Sequence, residues 1–218
     1  MQTLNAQRLS APAIKKIVMT ALIAASVIGI AGTARAESNF QTGPLVGALT
    51  ATTHLDFQIV IPKMIYLRVG TGVDRTTVAT VDLINFAVPA ANVGDASVIA
   101  GTGGDLGAGQ VTARVISNLG TVTLSTITPN GIKDVAGDVI SYSQIALAVG
   151  LNTSVTALTP PAMTDGTTTT STIAPVASVV NRDAKWTFTY LNTNVVAAGT
   201  YGGINTNQSR VTYTAAIP

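Results

Sequence analysis

Several residue types are missing or scarce, and each absence narrows the chemistry open to the chain. The 218 residues include no cysteine, one histidine (His54) and one glutamate (Glu37). Without cysteine, zinc–thiolate sites, iron–sulfur clusters and thiol catalysis are excluded. Only 10% of the residues are charged, and no basic cluster occurs. The charge pattern therefore predicts that the protein does not bind nucleic acid.

Residues that usually form helix surfaces are also scarce. After residue 36 the chain has a single Glu and only three Lys, against 30 Thr. Thr, Val and Ile are branched at Cβ, which restricts their rotamers and favours the pleated surface of a sheet. Period-2 alternation recurs along the chain, and no segment keeps a helical apolar stripe over a dozen residues. The composition and the pattern predict an all-β protein.

The N-terminus has the three parts of a secretory signal peptide. Basic residues up to Lys16 precede an uncharged apolar run over residues 17–30, and Ala34-Arg35-Ala36 follows as a cleavage site. We expect residues 1–36 to be a cleaved signal helix and the protein to be exported to the periplasm, the cell surface or the medium of a Gram-negative bacterium. The alternative is a retained membrane anchor, because the apolar run approaches the spanning length of about 20 residues.

Removal of this segment would change the charge of the protein. Residues 37–218 hold 8 basic and 10 acidic residues, so the basic character of the whole chain belongs to its N-terminus. We expect residues 37–53 to be a donor-strand-like segment with scattered apolar residues, and residues 54–218 to be one domain. After cleavage we expect no stable membrane span.

Short alternating runs separated by turn residues predict an antiparallel two-sheet sandwich. The runs that carry the prediction are 54–61, 63–70, 78–88, 110–117, 121–127, 139–149, 185–190 and 209–218. The run 139–149 fits either one bent strand or two strands. Residues 159–175 are rich in Pro and Thr and contain Asp165-Gly166, which predicts a mobile loop. A linker between two small domains is the alternative for this stretch.

Four sequence patterns are candidates for a catalytic, phosphate-binding or metal-binding site. His54 and Asp56 would share a strand face, but no nucleophile motif accompanies them. The glycine-dense residues 101–109 do not match a phosphate-binding spacing. Residues 130–138 carry oxygen ligands without the spacing of an EF-hand calcium loop. The remaining aspartates stand singly near turns, which does not suggest the carboxylate pair of a glycosidase. We therefore predict no catalytic, cofactor-binding or metal-binding residues and no cofactor.

The C-terminal segment AAGTYGGINTNQSRVTYTAAIP, residues 197–218, resembles the end of fimbrial-subunit-like, secreted Ig-like domains. The matching residues are Gly199 and Tyr201 in a turn, followed by Val211 and Tyr213 in an alternating strand. The resemblance implies an Ig-like, pilin-like sandwich that acts as a non-catalytic building block of a surface or filament. The family often carries a disulfide, which this chain lacks.

Three functions follow as hypotheses. The first is a structural or adhesive surface protein whose partners are other copies or other surface subunits, joined by strand pairing. The second is a carbohydrate- or ligand-binding module, in which Tyr66, Tyr142 or Trp186 would lie on one exposed face. For Trp186 we favour a place in the core. The third is a hydrolase, which no motif supports.

Overall fold

A computed structural model of the protein describes residues 37–217, and the predicted signal peptide lies outside them. Residues 37–60 and residues 61–217 belong to two separate units. The described residues form strands, turns and two short 3-10 helices, with no α-helix among them. The prediction of an all-β protein is confirmed. No helix within residues 37–217 is long and apolar enough to cross a membrane.

Twelve strands lie in the second unit. They are β1 (Ile65–Val69), β2 (Ile84–Asn85), β3 (Ile99–Ala100), β4 (Thr102–Gly103), β5 (Gln110–Ser117), β6 (Val122–Ile127), β7 (Ile132–Lys133), β8 (Val139–Ile140), β9 (Ile145–Gly150), β10 (Thr168–Ile173), β11 (Val180–Tyr190) and β12 (Thr212–Ala216). The 3-10 helices are Ala90–Asn92 and Tyr142–Gln144.

The largest sheet is built around the long strand β11. All of its pairings are antiparallel: β11 pairs with β5, β9 and β3, and β5 pairs in turn with β1. Strand β5 lies along one edge of β11 and β9 along the other, since Trp186 is opposite both Val111 and Val149. Alternate residues of β5 and β11 therefore present one apolar face and one polar face.

A second antiparallel sheet has the order β10-β6-β12. Two small hairpin-like pairs, β2 with β4 and β7 with β8, complete the ladders of the described residues. The residues Asn130-Gly131 lead into β7, and Gly131 has a positive φ of 86°, which favours glycine.

One hydrophobic core joins the two larger sheets. Val115 of β5, Val122 and Leu124 of β6, and Trp186 of β11 are fully buried within it. The Trp186 ring lies 5.3 Å from the ring of Tyr213 in β12, so the aromatic contact also links the two sheets. The Trp186 indole donates a hydrogen bond to the carbonyl oxygen of Leu158 at 2.7 Å, which satisfies its polar group inside the core.

Alternating patterns identified the central strands. The runs 110–117 and 121–127 form β5 and β6 with the predicted inward faces, and 185–190 is the end of β11 with Trp186, Phe188 and Tyr190 on its buried face. Trp186 is fully buried, so its predicted place in the core is confirmed.

Residues 139–149 form two strands separated by a 3-10 helix, which is one of the two arrangements expected for this run. Three other predicted segments differ from the structure. Of residues 78–88 only Ile84–Asn85 is a strand. Within the predicted loop 159–175, residues 168–173 form β10, because their threonines complete a ladder with β6. Residues 54–61, predicted as a strand of the domain, belong to no sheet.

Candidate functional site: an unpaired alternating segment

The segment from His54 to Ile61 combines the pattern of a strand with the exposure of a free chain. It precedes β1 and has no regular secondary structure. Leu55, Phe57, Ile59 and Ile61 alternate along it, and between 74% and 85% of each is exposed. Apolar side chains with this spacing would all lie on one face of an extended strand. The segment has the side chains of a half-buried strand and no partner strand among the described residues.

The chain immediately after this segment is held in place by one side chain. The Asn118 amide nitrogen donates to the carbonyl oxygen of Pro62, and the Asn118 side-chain oxygen accepts from the backbone N–H of Met64, each at 2.8 Å. The Met64 carbonyl oxygen accepts in return from the backbone N–H of Asn118 at 3.3 Å. These bonds fix the start of β1 directly after the apolar segment.

Several sheet edges are open to a further strand. Within residues 61–217, β1, β9 and β12 each pair with a strand on one side only. Val149 of β9 is on the core-facing side of its strand, opposite Trp186, yet 38% of it is exposed. Ile65 of β1 is likewise 41% exposed. The core thus reaches the surface at strands that have a ladder partner on one side only.

The segment predicted to be donor-strand-like, residues 37–53, is exposed and irregular. Its large apolar residues Phe40, Leu45, Val46 and Leu49 are between 58% and 107% exposed, and their spacing does not alternate. Strict alternation is found a few residues later, at 54–61. The sequence contained that signal, but a run of this kind is usually interpreted as a strand of the domain's own sheet.

His54 contacts Glu37 and no nucleophile. The His54 Nδ1 and a Glu37 carboxylate oxygen are 3.0 Å apart, with 72% and 57% of the two side chains exposed. An ion pair this exposed contributes little stability. Asp56 has no hydrogen bond to His54 among the described contacts of residues 37–60.

The calcium hypothesis for residues 130–138 does not fit the geometry. One carboxylate oxygen of Asp134 accepts hydrogen bonds from the backbone N–H groups of Ala136, Gly137 and Asp138, at 2.8–2.9 Å. That oxygen is occupied in closing the turn between β7 and β8. No group of three or more His, Asp or Glu suited to a metal ion occurs in the described part of the chain.

The glycine-dense residues 101–109 form a closely packed turn. Asp105 anchors it: one carboxylate oxygen accepts from the backbone N–H of Thr112 at 2.7 Å, and the other accepts from the Arg68 guanidinium at 2.9 Å. Gly101 and Gly109 approach so closely that a Cβ on Gly109 would lie 2.7 Å from the Cα of Gly101. The glycines therefore serve backbone packing.

Arg68 and Arg114 lie opposite each other on β1 and β5, with acidic partners around them. Arg114 bonds Asp74 and also donates to the side-chain oxygen of Asn181 at 3.2 Å. Together with Asp105 these residues form a charge-balanced network of two cations and two anions. Such a network holds the loops against the outer face of the sheet.

Tyr66, Tyr142 and Trp186, the candidate aromatic residues for glycan binding, do not form an exposed platform. Trp186 is in the core, and Tyr142 is 2% exposed with its hydroxyl donating to the carbonyl oxygen of Gln208 at 2.7 Å. Burial raises the pKa of Tyr142 to about 12, and the nearby Asp165 adds to the shift. Tyr66 donates to the carbonyl oxygen of Val73. These three side chains thus hold the fold together.

The residues that carry the fimbrial resemblance lie at the end of the domain. Tyr213 and Val211 are half-buried, and Tyr213 contacts the core through Trp186. The Tyr201 hydroxyl donates to the carbonyl oxygen of Ala197 at 3.0 Å, which closes the turn around Gly199. Comparison with models of protein families, with curated proteins and with solved structures found no match for this chain.

Proposed function

We propose that the protein is an exported, non-catalytic structural or adhesive surface protein whose copies associate by strand pairing, as fimbrial subunits do. The observation that carries the proposal is the exposed segment 54–61, in which Leu55, Phe57, Ile59 and Ile61 alternate. The signal-like N-terminus supports export. In this proposal the donor is residues 54–61 rather than 37–53, and the acceptor is a free sheet edge of another copy.

Burial of the apolar side chains of residues 54–61 against a partner sheet would lower the free energy. Burial of a Leu, Ile or Phe side chain is worth about 1.5–3 kcal/mol relative to leaving it exposed. Four such side chains would lie on one face if residues 54–61 were an extended strand. A strand added to a sheet edge would bury that face and also pair its backbone N–H and C=O groups. Both gains offset the entropy lost when the segment becomes ordered.

The domain supplies suitable acceptors. Strands β1, β9 and β12 have one unpaired edge each within residues 61–217. We propose that the five- and three-stranded sheets form a two-layer, Ig-like sandwich, since buried side chains of both contribute to one core. At the open edges of such a sandwich, the core-facing Ile65 and Val149 would be covered by the apolar face of an incoming strand.

The test places charge on the apolar face of the segment. In the variant Phe57→Asp/Ile59→Asp two carboxylates would have to enter the core of the partner, which is strongly unfavourable. We expect the unaltered purified protein to form species heavier than one chain, in amounts that grow with concentration. The double variant should be monomeric. Light scattering after size-exclusion chromatography measures the mass.

A matched control carries the same charges on the opposite face. In Gln58→Asp/Val60→Asp the two carboxylates would point to solvent after strand addition, so association should persist. The proposal is wrong if the unaltered protein stays monomeric at every concentration, or if the two variants associate equally. Electron microscopy of the unaltered protein distinguishes filaments from small oligomers.

A further inference from the structure

Strand β9 is an edge strand that lacks the features by which a sheet edge is usually protected. It pairs with β11 on one side only, and residues 146–150 make no backbone hydrogen bond outside that ladder within residues 37–217. Natural edge strands are commonly protected by charged side chains, by proline or by a bulge. The sequence of β9, IALAVG, has no charged residue and no proline, and its ladder has no bulge. This edge is therefore suited to accept a further strand.

The ladder with β11 directs alternate backbone groups of β9 to the open edge. The Leu191 N–H donates to the carbonyl oxygen of Gln144 at 2.8 Å, in the same register as the ladder. Alternate residues of an antiparallel strand bond one neighbour and direct their N–H and C=O groups to the opposite side. The backbone groups of Leu147 and Val149 are therefore directed away from β11. The N–H of Ile145 is bonded within the preceding 3-10 helix, so an added ladder would end there.

The core-facing side chains of β9 form a row that an added strand would cover. The row continues the buried aromatic residues of β11, in the pairs Ile145–Tyr190, Leu147–Phe188 and Val149–Trp186. The end of the row is open, since 38% of Val149 is exposed. In the exposed segment 54–61, Phe57, Ile59 and Ile61 have the same spacing of two residues. Three apolar side chains of the segment thus match the three of β9 one to one.

A pair of opposite charges selects one direction and one register for the added strand. Lys185 is exposed on the outer face of β11, directly opposite Gly150 at the end of β9. Because Gly150 has no side chain, the long lysine side chain can extend across it to the next strand position, about 10 Å away at two strand spacings. Asp56 is the only acidic residue of 54–61. Neither Asp56 nor Lys185 has an ion pair within residues 37–217.

We infer that residues 56–61 of one copy add to β9 of a second copy as an antiparallel strand, with Asp56 opposite Gly150 and Ile61 opposite Ile145. The inference rests on the proposed function and adds the acceptor strand, the direction and the register. A parallel strand would place Asp56 at the other end of β9, far from Lys185. An exposed ion pair is weak, so it selects the register while apolar burial supplies the affinity.

The inferred register agrees with the position of Pro62. Proline has no N–H and is not accepted inside a ladder. With Ile61 opposite Ile145, Pro62 lies just beyond the end of the added ladder, where β9 itself begins. A shift by two residues in one direction would place Pro62 inside the ladder. Because the donor and the acceptor are different surfaces of each copy, the association is head to tail and can extend into a filament.

Engineered cysteines test the register, because the chain has none of its own. Gln58 of the donor would lie directly opposite Ala148 of the acceptor, and both residues are exposed. The variants Gln58→Cys and Ala148→Cys are purified separately and mixed in a glutathione redox buffer, so that a disulfide between them joins two copies. We expect a mixed disulfide as the main linked product, identified by intact mass. The matched control replaces Ala148→Cys by Thr214→Cys, an exposed position on the edge strand β12.

Charge reversal tests the direction of the strand. Adding Asp56→Lys to the Gln58→Cys copy should lower the yield of mixed disulfide with Ala148→Cys by about two- to fivefold, the effect of one exposed ion pair. Adding Lys185→Asp to the Ala148→Cys copy should restore the yield. An unchanged yield in both mixtures would overturn the inferred direction and register.

The cross-linking result separates this inference from the proposed function. If the unaltered protein associates but Gln58→Cys links to Thr214→Cys as well as to Ala148→Cys, or to neither, β9 is not the acceptor and only the inference fails. If the unaltered protein stays monomeric at every concentration, both fail. Urea midpoints check that the cysteine variants fold. If Ala148→Cys does not fold, Val60→Cys and Ala146→Cys are the next pair in the same register, and absence of their mixed disulfide would equally overturn the inference.

Discussion

At the scale of single residues, buried carboxylates hold the loops to the sheets. Asp183 on β11 is 1% exposed. Burial alone would raise its pKa, but hydrogen bonds from the hydroxyl of Thr153 and from the backbone and side chain of Ser154 outweigh burial and lower the pKa to about 2. Asp134 has the same function in its turn. The aspartates seen singly in the sequence are thus structural anchors.

The lowered pKa of Asp183 predicts a pH dependence of stability. A group whose folded pKa lies below its unfolded value stabilises the fold above the unfolded pKa, and the contribution is lost as the pH falls through the folded pKa. For Asp183 the window runs from the usual value of 3.8 down to about 2. The shift corresponds to about 2 kcal/mol. Urea unfolding between pH 7 and pH 2 measures it.

The substitution Asp183→Asn tests the assignment of that pH dependence. The amide has the same shape, but its NH₂ group would face backbone donors, which should cost about 1–3 kcal/mol at pH 7. The variant should also lose part of the stability difference between pH 5 and pH 2. An unchanged pH profile in Asp183→Asn would show that other carboxylates cause the acid sensitivity.

At the scale of elements, the turn over residues 101–109 depends on the close approach of two glycines. Gly109 has a φ of +71°, and a Cβ there would lie 2.7 Å from the Cα of Gly101. Gly120 also has a positive φ, +89°, but a Cβ there would meet nothing within 4 Å. A comparison of alanine substitutions at Gly109 and Gly120 therefore distinguishes the cost of backbone strain from the cost of steric overlap.

We expect Gly109→Ala to lower the free energy of unfolding by more than Gly120→Ala. Backbone strain alone costs about 1–3 kcal/mol at either position. At Gly109 the overlap with backbone atoms adds to it, because backbone cannot move aside as a flexible side chain can. Urea midpoints of the two variants provide the comparison. Equal losses would mean that the contact between Gly101 and Gly109 relaxes at no cost.

The sequence predicted elements where both faces of a strand have distinct surroundings. In β6 and the end of β11 one face is buried and the other is more exposed, so alternation was sufficient. It was insufficient at β10, where TTTSTI has no alternation of polarity and pairing with β6 determines the structure. Pairing is a long-range property, and a local pattern does not contain it.

The segment 54–61 is a second case in which a local pattern does not determine strand pairing. Its alternation is as strict as that of β5, yet it lies in no sheet of the described chain. Alternation of apolar residues predicts which face of a strand is buried, but not whether the partner strand belongs to the same molecule. The hydrogen-bond partners of Asp183 were not predictable either, because Thr153 and Ser154 are 30 and 29 residues away in sequence and only the fold brings them close.

At the scale of the whole molecule, the apolar residues of the core and the exposed apolar residues of 54–61 are expected to have different functions. Leu124→Ala, which empties a fully buried site, should lower the free energy of unfolding by about 2–5 kcal/mol. Phe57→Ala should change the stability of the monomer by less than about 0.5 kcal/mol, since 85% of Phe57 is exposed.

The same two variants should have the reverse effects on association. Phe57→Ala removes the largest side chain of the proposed donor face and should weaken self-association, while folded Leu124→Ala should still associate. Urea unfolding of dilute protein gives the stabilities, and sedimentation at rising concentration gives the association. A large loss of monomer stability in Phe57→Ala would contradict an exposed segment.

Hydrogen exchange of the backbone amides of residues 54–61, followed as the protein concentration is raised, tests strand donation most directly. Amides in a free extended chain exchange rapidly, whereas amides in a sheet ladder are protected. The proposal predicts rapid exchange in dilute protein and protection that grows with concentration, absent from Phe57→Asp/Ile59→Asp. Exchange that stays rapid at every concentration, or protection already complete in a dilute monomer, would contradict it.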